Sequence, residues 1–285
     1  MTTIGLDIGG SHVSVGRVEW TGKEATIVDF GESDVDTSRS VAEIINDWIA
    51  LIRKSVGIGQ GLQVGIAMPG PFDYPNGISL IKDQGKMKAL FGLSVKNLLA
   101  DGLNIDPNRI VFTNDAEAFL LGESLAGAGR GFENSIGLTL GTGLGSAFNV
   151  GGEVWDAKLW TAPFRDGKAE DYLGTGWIRS YVWEKYQKEI SGMRELVLGE
   201  IDSEIAADVF WEYGTALGEF LYPYLVEKRI HGLVLGGKIS RASNFFLPHC
   251  RAYLDSLRLG LEIRISKLGE RAAMLGACMP FFTRF

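Results

Sequence analysis

Two segments of this 285-residue chain align without a gap: IGLDIGGSHVSVGRV at 4–18 and IGLTLGTGLGSAFNV at 136–150. Ile, Gly, Leu, Gly, Ser and Val stand at the same six places in both. Each segment reads as a strand, a glycine turn and a second strand. A chain that twice opens a region this way is expected to fold as two α/β units on one plan, facing each other across a cleft. Chance likeness between glycine hairpins is the competing explanation.

The remaining pattern fits such a plan. Residues 3–8, 13–19 and 25–31 read as three short strands joined by glycine-containing turns. Val41, Ile44, Ile45, Trp48, Ile49 and Ile52 recur at helical spacing, with Ser40 and Glu43 as a capping box at the start. LQVGIAM reads as a buried strand stopped by PGPFDYPNG, and a short helix near 94–101 precedes the strand RIVFT. NDAEAFLLGESLAGAG reads as a helix ending in glycines. Later come helical stretches near 170–188 and 203–229, the strand GLVLGG, the strand LEIRIS, and a closing helix of small residues, LGERAAMLGACM. The acidic run GESDVDTS reads as a solvated loop.

Composition narrows the function classes. A net charge of −7 lacks the basic stripe of a nucleic-acid binder, so no nucleic-acid partner is expected. No apolar run approaches the roughly 18 residues of a membrane span. The segment MTTIGLDIGG enters a strand at once, without a basic leader, which makes the cytoplasm the expected location. Two cysteines, Cys250 and Cys278, supply neither a disulfide framework nor a cysteine zinc cage.

Two common phosphate-binding patterns fail on context. A P-loop needs GxxxxGK[ST] before a helix, and neither glycine segment carries the lysine. GTGLGS is weakly like a dinucleotide fingerprint, but SAFNVGGEV after it reads as strand where that fingerprint must open a helix. Two glycine hairpins closing on a nucleotide triphosphate remain. In that arrangement the backbone N–H groups of Gly9, Gly10 and Ser11, and of Gly141, Thr142 and Gly143, hold phosphate oxygens that a Cβ would block. Asp7, an acid where a P-loop has lysine, then suits Mg²⁺, commonly through water. Its other reading is a strand-end carboxylate accepting turn N–H groups. Thr139 stands at the matching place in the second hairpin.

GLDIGGSHVSVGRV, GIAMPGPFDYPNGIS, NDAEAFLLGE, GLTLGTGLGSAF, LVLGGKIS and LGERAAMLGA, in that order, resemble the ROK sugar kinases of the actin-like ATPase superfamily. The resemblance spans nearly the whole chain and is weakest between 156 and 230. It implies a two-domain actin-like ATPase (ribonuclease H-like) α/β fold with a central cleft. The domains are expected at 1–114 and 115–269, with a closing helix at about 270–285 packing back on the first. The implied reaction moves the γ-phosphate of ATP to a hydroxyl, the 6-hydroxyl, of a hexose or related sugar, with Mg²⁺. Asp115, opening a helix after RIVFT, is the candidate general base, although Asn-Asp before a helix also serves as a plain N-cap. By resemblance Asn114 bonds a sugar hydroxyl, Pro69 and Gly70 shape the sugar-side loop, and Gly236 and Gly237 approach the adenosine. For GLVLGGKIS a strand-to-helix turn needing glycine only for packing is the alternative. The family is often dimeric, so a homodimer is also implied.

One segment departs from the family. Its usual Glu-x-Gly-His motif, which grips sugar, and the following zinc-binding cysteines are replaced by GGEVWDAKLWTAPFRDGKAEDYLGTGW, which holds no histidine or cysteine. No zinc is therefore expected. Zinc-lacking, polyphosphate-using glucokinases of the family are similar at GKAEDY, and Glu170 there inherits a sugar contact. Trp160 or Phe164 could stack on a pyranose, with Arg165 or Asp166 reaching hydroxyls, or the aromatics could be core. Two alternatives follow: a non-catalytic sugar- or nucleotide-binding protein, and a kinase using polyphosphate as donor.

Overall fold

The computed structural model describes residues 1–10, 12–22, 24–56, 61–82 and 87–282. Strands β1 (Thr2–Ile8), β2 (His12–Trp20) and β3 (Ala25–Asp34) form an antiparallel meander. Helix α1 (Val41–Val56) then leads to β4 (Leu62–Met68), which pairs parallel to β1. The apolar stripe of α1 is buried, with Trp48 fully enclosed. The capping box forms as its sequence requires: Ser40 N–H donates to Glu43 at 3.1 Å and Glu43 N–H to Ser40 Oγ at 3.4 Å. The Ser40 hydroxyl, donating to the same carboxylate at 2.6 Å, with Arg39 and the Ser40 N–H, holds the Glu43 carboxyl down at about 2.

A two-strand ribbon, β5 (Phe72–Asp73) with β6 (Ile78–Ser79), fills the turn-rich loop after β4. Helix α2 (Val95–Leu103), capped by Ser94, precedes β7 (Ile110–Asn114), parallel to β4, and α3 (Asp115–Ala126). The first sheet thus has the order β3-β2-β1-β4-β7.

The second sheet repeats this order. Strands β8 (Asn134–Leu140), β9 (Leu144–Val150) and β10 (Glu153–Asp156) form its meander. A small hairpin, β11 (Pro163–Phe164) with β12 (Gly167–Lys168), follows. Four helices come next: α4 (Ala169–Leu173), α5 (Thr175–Tyr186), α6 (Met193–Leu198) and α7 (Ser203–Glu227). Strand β13 (Gly232–Gly236), helix α8 (Ser243–Ser256) and strand β14 (Glu262–Ile265) complete the order β10-β9-β8-β13-β14. The internal likeness of the two hairpins therefore reflects two sheets of one design. The expected helix at 170–188 is broken at Gly174, where the chain turns so that Thr175 donates from both N–H and Oγ1 to the Gly141 carbonyl. The acidic run also differs from a loop at its start, since β3 continues to Asp34.

The chain closes with α9 (Arg271–Ala277) and α10 (Met279–Phe282). Small residues let α9 lie directly on α3: a Cβ on Gly276 would collide with the Ala118 carbonyl. Contacts divide the chain into Met1–Arg130 with Leu268–Phe285, and Gly131–Lys267. The helix beginning at Asp115 thus packs in the first unit, whereas the sequence places a junction at 114–115. Each unit has its own core, around Ile4, Leu6, Trp48, Ile66 and Met68 in the first, and Leu138, Phe148, Tyr213, Phe220 and Leu235 in the second. Among the described residues no helix is long and apolar enough to cross a membrane.

Both cysteines are fully buried, Cys250 in α8 and Cys278 after α9. Burial pushes the Cys250 thiol up to about 12 and raises Cys278 as well. In a thiol titration at pH 8 the native protein is expected to react at neither cysteine, and the denatured protein at both. Fast labelling of the native form would contradict this burial.

Candidate functional site

In the first unit, the ends of three parallel strands bring the candidate residues together. Asp7 lies one residue from the end of β1, opposite Ser14 of β2 and Ala67 of β4. On the next strand pair, Met68 stands opposite Asn114, and Asp115 begins α3 directly after. Gly9 N–H donates to the His12 carbonyl at 2.8 Å, and the Gly10 carbonyl accepts the Thr37 hydroxyl at 2.7 Å. These bonds set the first glycine turn. Ser11 lies outside the described residues.

Burial pushes the Asp7 carboxyl up to about 7, and the nearby carboxylates Asp115 and Glu270 add to the shift. Asp7 beside the glycine turn, with the charges of Asp115 and Glu270 felt at its carboxyl, supplies the oxygen chemistry that a hard divalent cation prefers. Mg²⁺ prefers oxygen ligands and would relieve the repulsion among these charges. The residues present therefore fit the metal. His12, Glu32 and Glu270 also bring ligand atoms within 4.8 Å of one another. Sequence reading missed Glu32 and Glu270, the first because it sits in an acidic run that resembles solvated surface. A hydrogen bond with Glu270 raises the Glu32 carboxyl.

Asn114 acts first as a helix cap. Its Oδ1 accepts the N–H groups of Ala116 at 2.9 Å and Glu117 at 3.1 Å, and its Nδ2 donates to the Tyr74 hydroxyl at 3.0 Å. One Nδ2 hydrogen is left to meet an acceptor. Asp115 Oδ1 accepts the Ala116 N–H at 2.9 Å. The Asn114 cap and the Asp115 carboxylate thus share one corner at the N-terminus of α3. Pro69 is buried and Gly70 half-buried in the loop leaving β4, with Tyr74 beside them.

In the second unit, Thr139 occupies on β8 the place that Asp7 has on β1, and pairs with Gly145 and Gly236. The end of β13 therefore lies next to the second glycine turn. Gly237 has a φ of 82°, and a Cβ there would run into the Leu140 carbonyl, so glycine is required by backbone shape and close packing alike. Within the turn, Gly141 N–H donates to the Gly143 carbonyl at 3.1 Å, and Thr142 stands between them.

Glu170, on α4, packs against this turn: its Oε2 accepts the Leu144 N–H at 3.1 Å. Its other oxygen lies 3.6 Å from the Lys168 ammonium, which stands 5.3 Å above the Trp160 ring. Trp160 is 38% exposed, while Phe164 is buried, edge-on to Tyr172 and Phe220. Phe164 is thus core. Arg165, at the tip of the β11–β12 hairpin, pairs with Glu212 and Glu219 of α7, and Asp166 accepts the Tyr172 hydroxyl. Both side chains are engaged within the unit rather than held out toward a ligand.

Beyond Thr175 a cavity of about 840 Å³ opens among Gly176, Arg179, Ser180, Trp183, Ile190 and Glu195. It is open to solvent and mixes an exposed indole, an aliphatic side chain, a cation, hydroxyls and the carboxylates of Glu189 and Glu195. Sequence pattern gave no sign of it, because its lining comes from α5 and from the turn and helix after it.

A model of the ROK family matches residues 3–159, more than half of the chain. The chain belongs to the ROK family. A glucokinase of Thermotoga maritima is 36% identical to this ROK protein over 170 residues, which cover 58% of this chain and 47% of that enzyme. The chain thus spans about half the length of the curated glucokinases it matches. A ROK family glucokinase from Streptomyces griseus, solved with glucose and AMPPNP, superposes with a TM-score of 0.77 at 21% identity, over 98% of this chain and 99% of that one. A ROK family transcriptional regulator, a homologue of the E. coli MLC protein, superposes with a TM-score of 0.78 at 17% identity, over 98% of this chain and 77% of that one. These structural likenesses establish the two-domain α/β fold of the actin-like ATPases.

Proposed function

We propose that this ROK protein is a sugar kinase that transfers the γ-phosphate of ATP to the 6-hydroxyl of a hexose or related sugar. The observation that carries the reading is the placement of Asp7 near the end of β1 and Asp115 directly after β7 in one parallel sheet, an acid at a phosphate-type glycine turn and an acid at a helix start, with the Asp115 charge felt at Asp7. The matched glucokinase and the sugar- and nucleotide-bound ROK structure support the same reaction class.

In this reading each unit supplies its own groups. From the first, Asn114 and the loop of Pro69 and Gly70 hold the acceptor, and the Asp115 carboxylate takes the proton of the attacking hydroxyl. Asp7, with Glu270 near it, would hold Mg²⁺, and the bound metal supplies charge neutralisation on the transferring phosphate. From the second unit, the N–H groups of Gly141, Thr142 and Gly143 hold phosphate, while Gly236, Gly237 and the cavity beside Arg179 and Trp183 accommodate the nucleoside. Glu170 and Trp160 take the part that the missing Glu-x-Gly-His plays in the family. The cytoplasm, where ATP and Mg²⁺ are available, is the matching location, and a homodimer the matching assembly.

A screen of hexoses, amino sugars and N-acetylated sugars with ATP and Mg²⁺, read by coupled ADP release, tests this directly. At least one sugar is expected to give turnover well above the ATPase background. Parallel reactions with polyphosphate in place of ATP assign the donor. The engagement of Arg165 and Asp166 within the unit, and the likeness to a regulator, favour a second reading as a non-catalytic sugar-binding protein. Sugar binding by calorimetry with no turnover on any donor would establish that one instead.

A further inference from the structure

The hydroxyl of Tyr74 joins the ends of two neighbouring strands at the candidate acceptor site. Tyr74 sits in the turn between β5 and β6, its ring 5.4 Å from Phe72, which lies 4.9 Å from Phe112 of β7. The hydroxyl donates to the Met68 carbonyl at 3.1 Å, on the last residue of β4. It also accepts from Asn114 Nδ2 at 3.0 Å, on the last residue of β7. Met68 and Asn114 are themselves opposite each other in the parallel ladder. One phenol therefore closes the open end of the sheet where Asp115 begins.

We propose that Tyr74 is a positioning residue for phosphoryl transfer: its hydroxyl fixes the Asn114 amide and, through it, the corner of α3 that carries Asp115. The two N–H groups on Asn114 Oδ1 settle which way round the amide lies, and Tyr74 settles where its nitrogen points. With one Nδ2 hydrogen on Tyr74, the direction of the other is set as well, and that hydrogen is the one available to an acceptor hydroxyl. The reach is short, since Asn114 and Asp115 are consecutive and Asn114 caps the helix that Asp115 opens. Displacement of reacting groups by about 1 Å costs on the order of 100-fold in rate, so a hydroxyl that removes this freedom matters to catalysis. This role rests on the sugar-kinase reading.

Tyr74→Phe keeps the ring and its packing and deletes only the hydroxyl. In the full chain, with the acceptor found by the screen, kcat/KM for that sugar is expected to fall about 10- to 100-fold. KM for ATP should stay within about twofold, because the nucleotide groups are elsewhere. Phe72→Leu serves as the packing control: it loosens the same aromatic cluster, and is expected to lower the thermal midpoint while leaving kcat/KM near wild type. A double-mutant cycle separates positioning from packing. In an Asn114→Ala background, Tyr74→Phe should have little further effect on kcat/KM, since both act through one amide. Full additivity would overturn the route through Asn114. A Tyr74→Phe enzyme as active as wild type, or a loss matched by Phe72→Leu at equal destabilisation, would overturn the role of the hydroxyl alone. A wild-type chain inactive on every sugar and donor overturns the kinase reading, and this role with it.

Discussion

Asp115→Asn is expected to lower kcat for sugar phosphorylation by about 10³-fold while leaving nucleotide affinity within about twofold. Asparagine keeps the shape and can still cap the first turn of α3, but it cannot take a proton from the attacking hydroxyl. General-base catalysis contributes roughly 10² to 10⁴ in rate, which sets the size of the loss. The substitution also removes one of the two negative charges that raise the Asp7 carboxyl. Less negative potential weakens cation binding, so the comparison belongs at saturating Mg²⁺, where the remaining deficit reports chemistry. Nucleotide binding by calorimetry and turnover by ADP release give the two numbers. Substantial turnover by Asp115→Asn would remove Asp115 as the base. Lost nucleotide binding would instead make it a structural acid.

What the sequence disclosed about this site follows from how far apart its parts lie along the chain. The glycine hairpins were legible because strand, turn and strand are contiguous, and their duplication pointed to two like sheets. The stripe on α1 was legible because helical periodicity is local. Asp115 could be singled out because β7 and α3 abut in the sequence, although the same Asn-Asp junction also suits a plain N-cap. Glu270 could not, since it reaches Asp7 only through the return of α9 onto the first sheet. Tyr74 is hidden for the same reason: its partner Asn114 lies beyond a whole helix and strand, and no pattern connects them. Arg165 misled because a basic residue beside aromatics resembles a sugar contact. Its partners Glu212 and Glu219 sit on α7, and only the fold of the β11–β12 hairpin brings them together. The division of the chain was obscured likewise, because Asp115 marks the start of a helix while the packing of α3 against α9 keeps it in the first unit.

One buried acid braces that packing, and Glu123→Leu is expected to destabilise the protein by about 3–5 kcal/mol. Glu123 lies in α3 with no exposed surface. Its Oε2 accepts the Ala128 N–H at 2.5 Å and its Oε1 the Leu268 N–H at 3.0 Å, while its carbonyl accepts from Gly127 and Gly129. The side chain thus ties the end of α3 to the start of the closing segment, Leu268, which leads into Glu270 and α9. Leucine fills a similar volume but accepts nothing, so the Ala128 and Leu268 N–H groups both lose the carboxylate, at about 1–3 kcal/mol each. Glu123→Gln should cost less, because its carbonyl oxygen still serves one donor while its amide opposes the other. Urea unfolding monitored by tryptophan fluorescence supplies the comparison, with midpoints in the order wild type, glutamine, leucine. Equal midpoints for wild type and leucine would mean that water replaces the carboxylate without cost, and α9 would then be held by its small-residue contact with α3 alone.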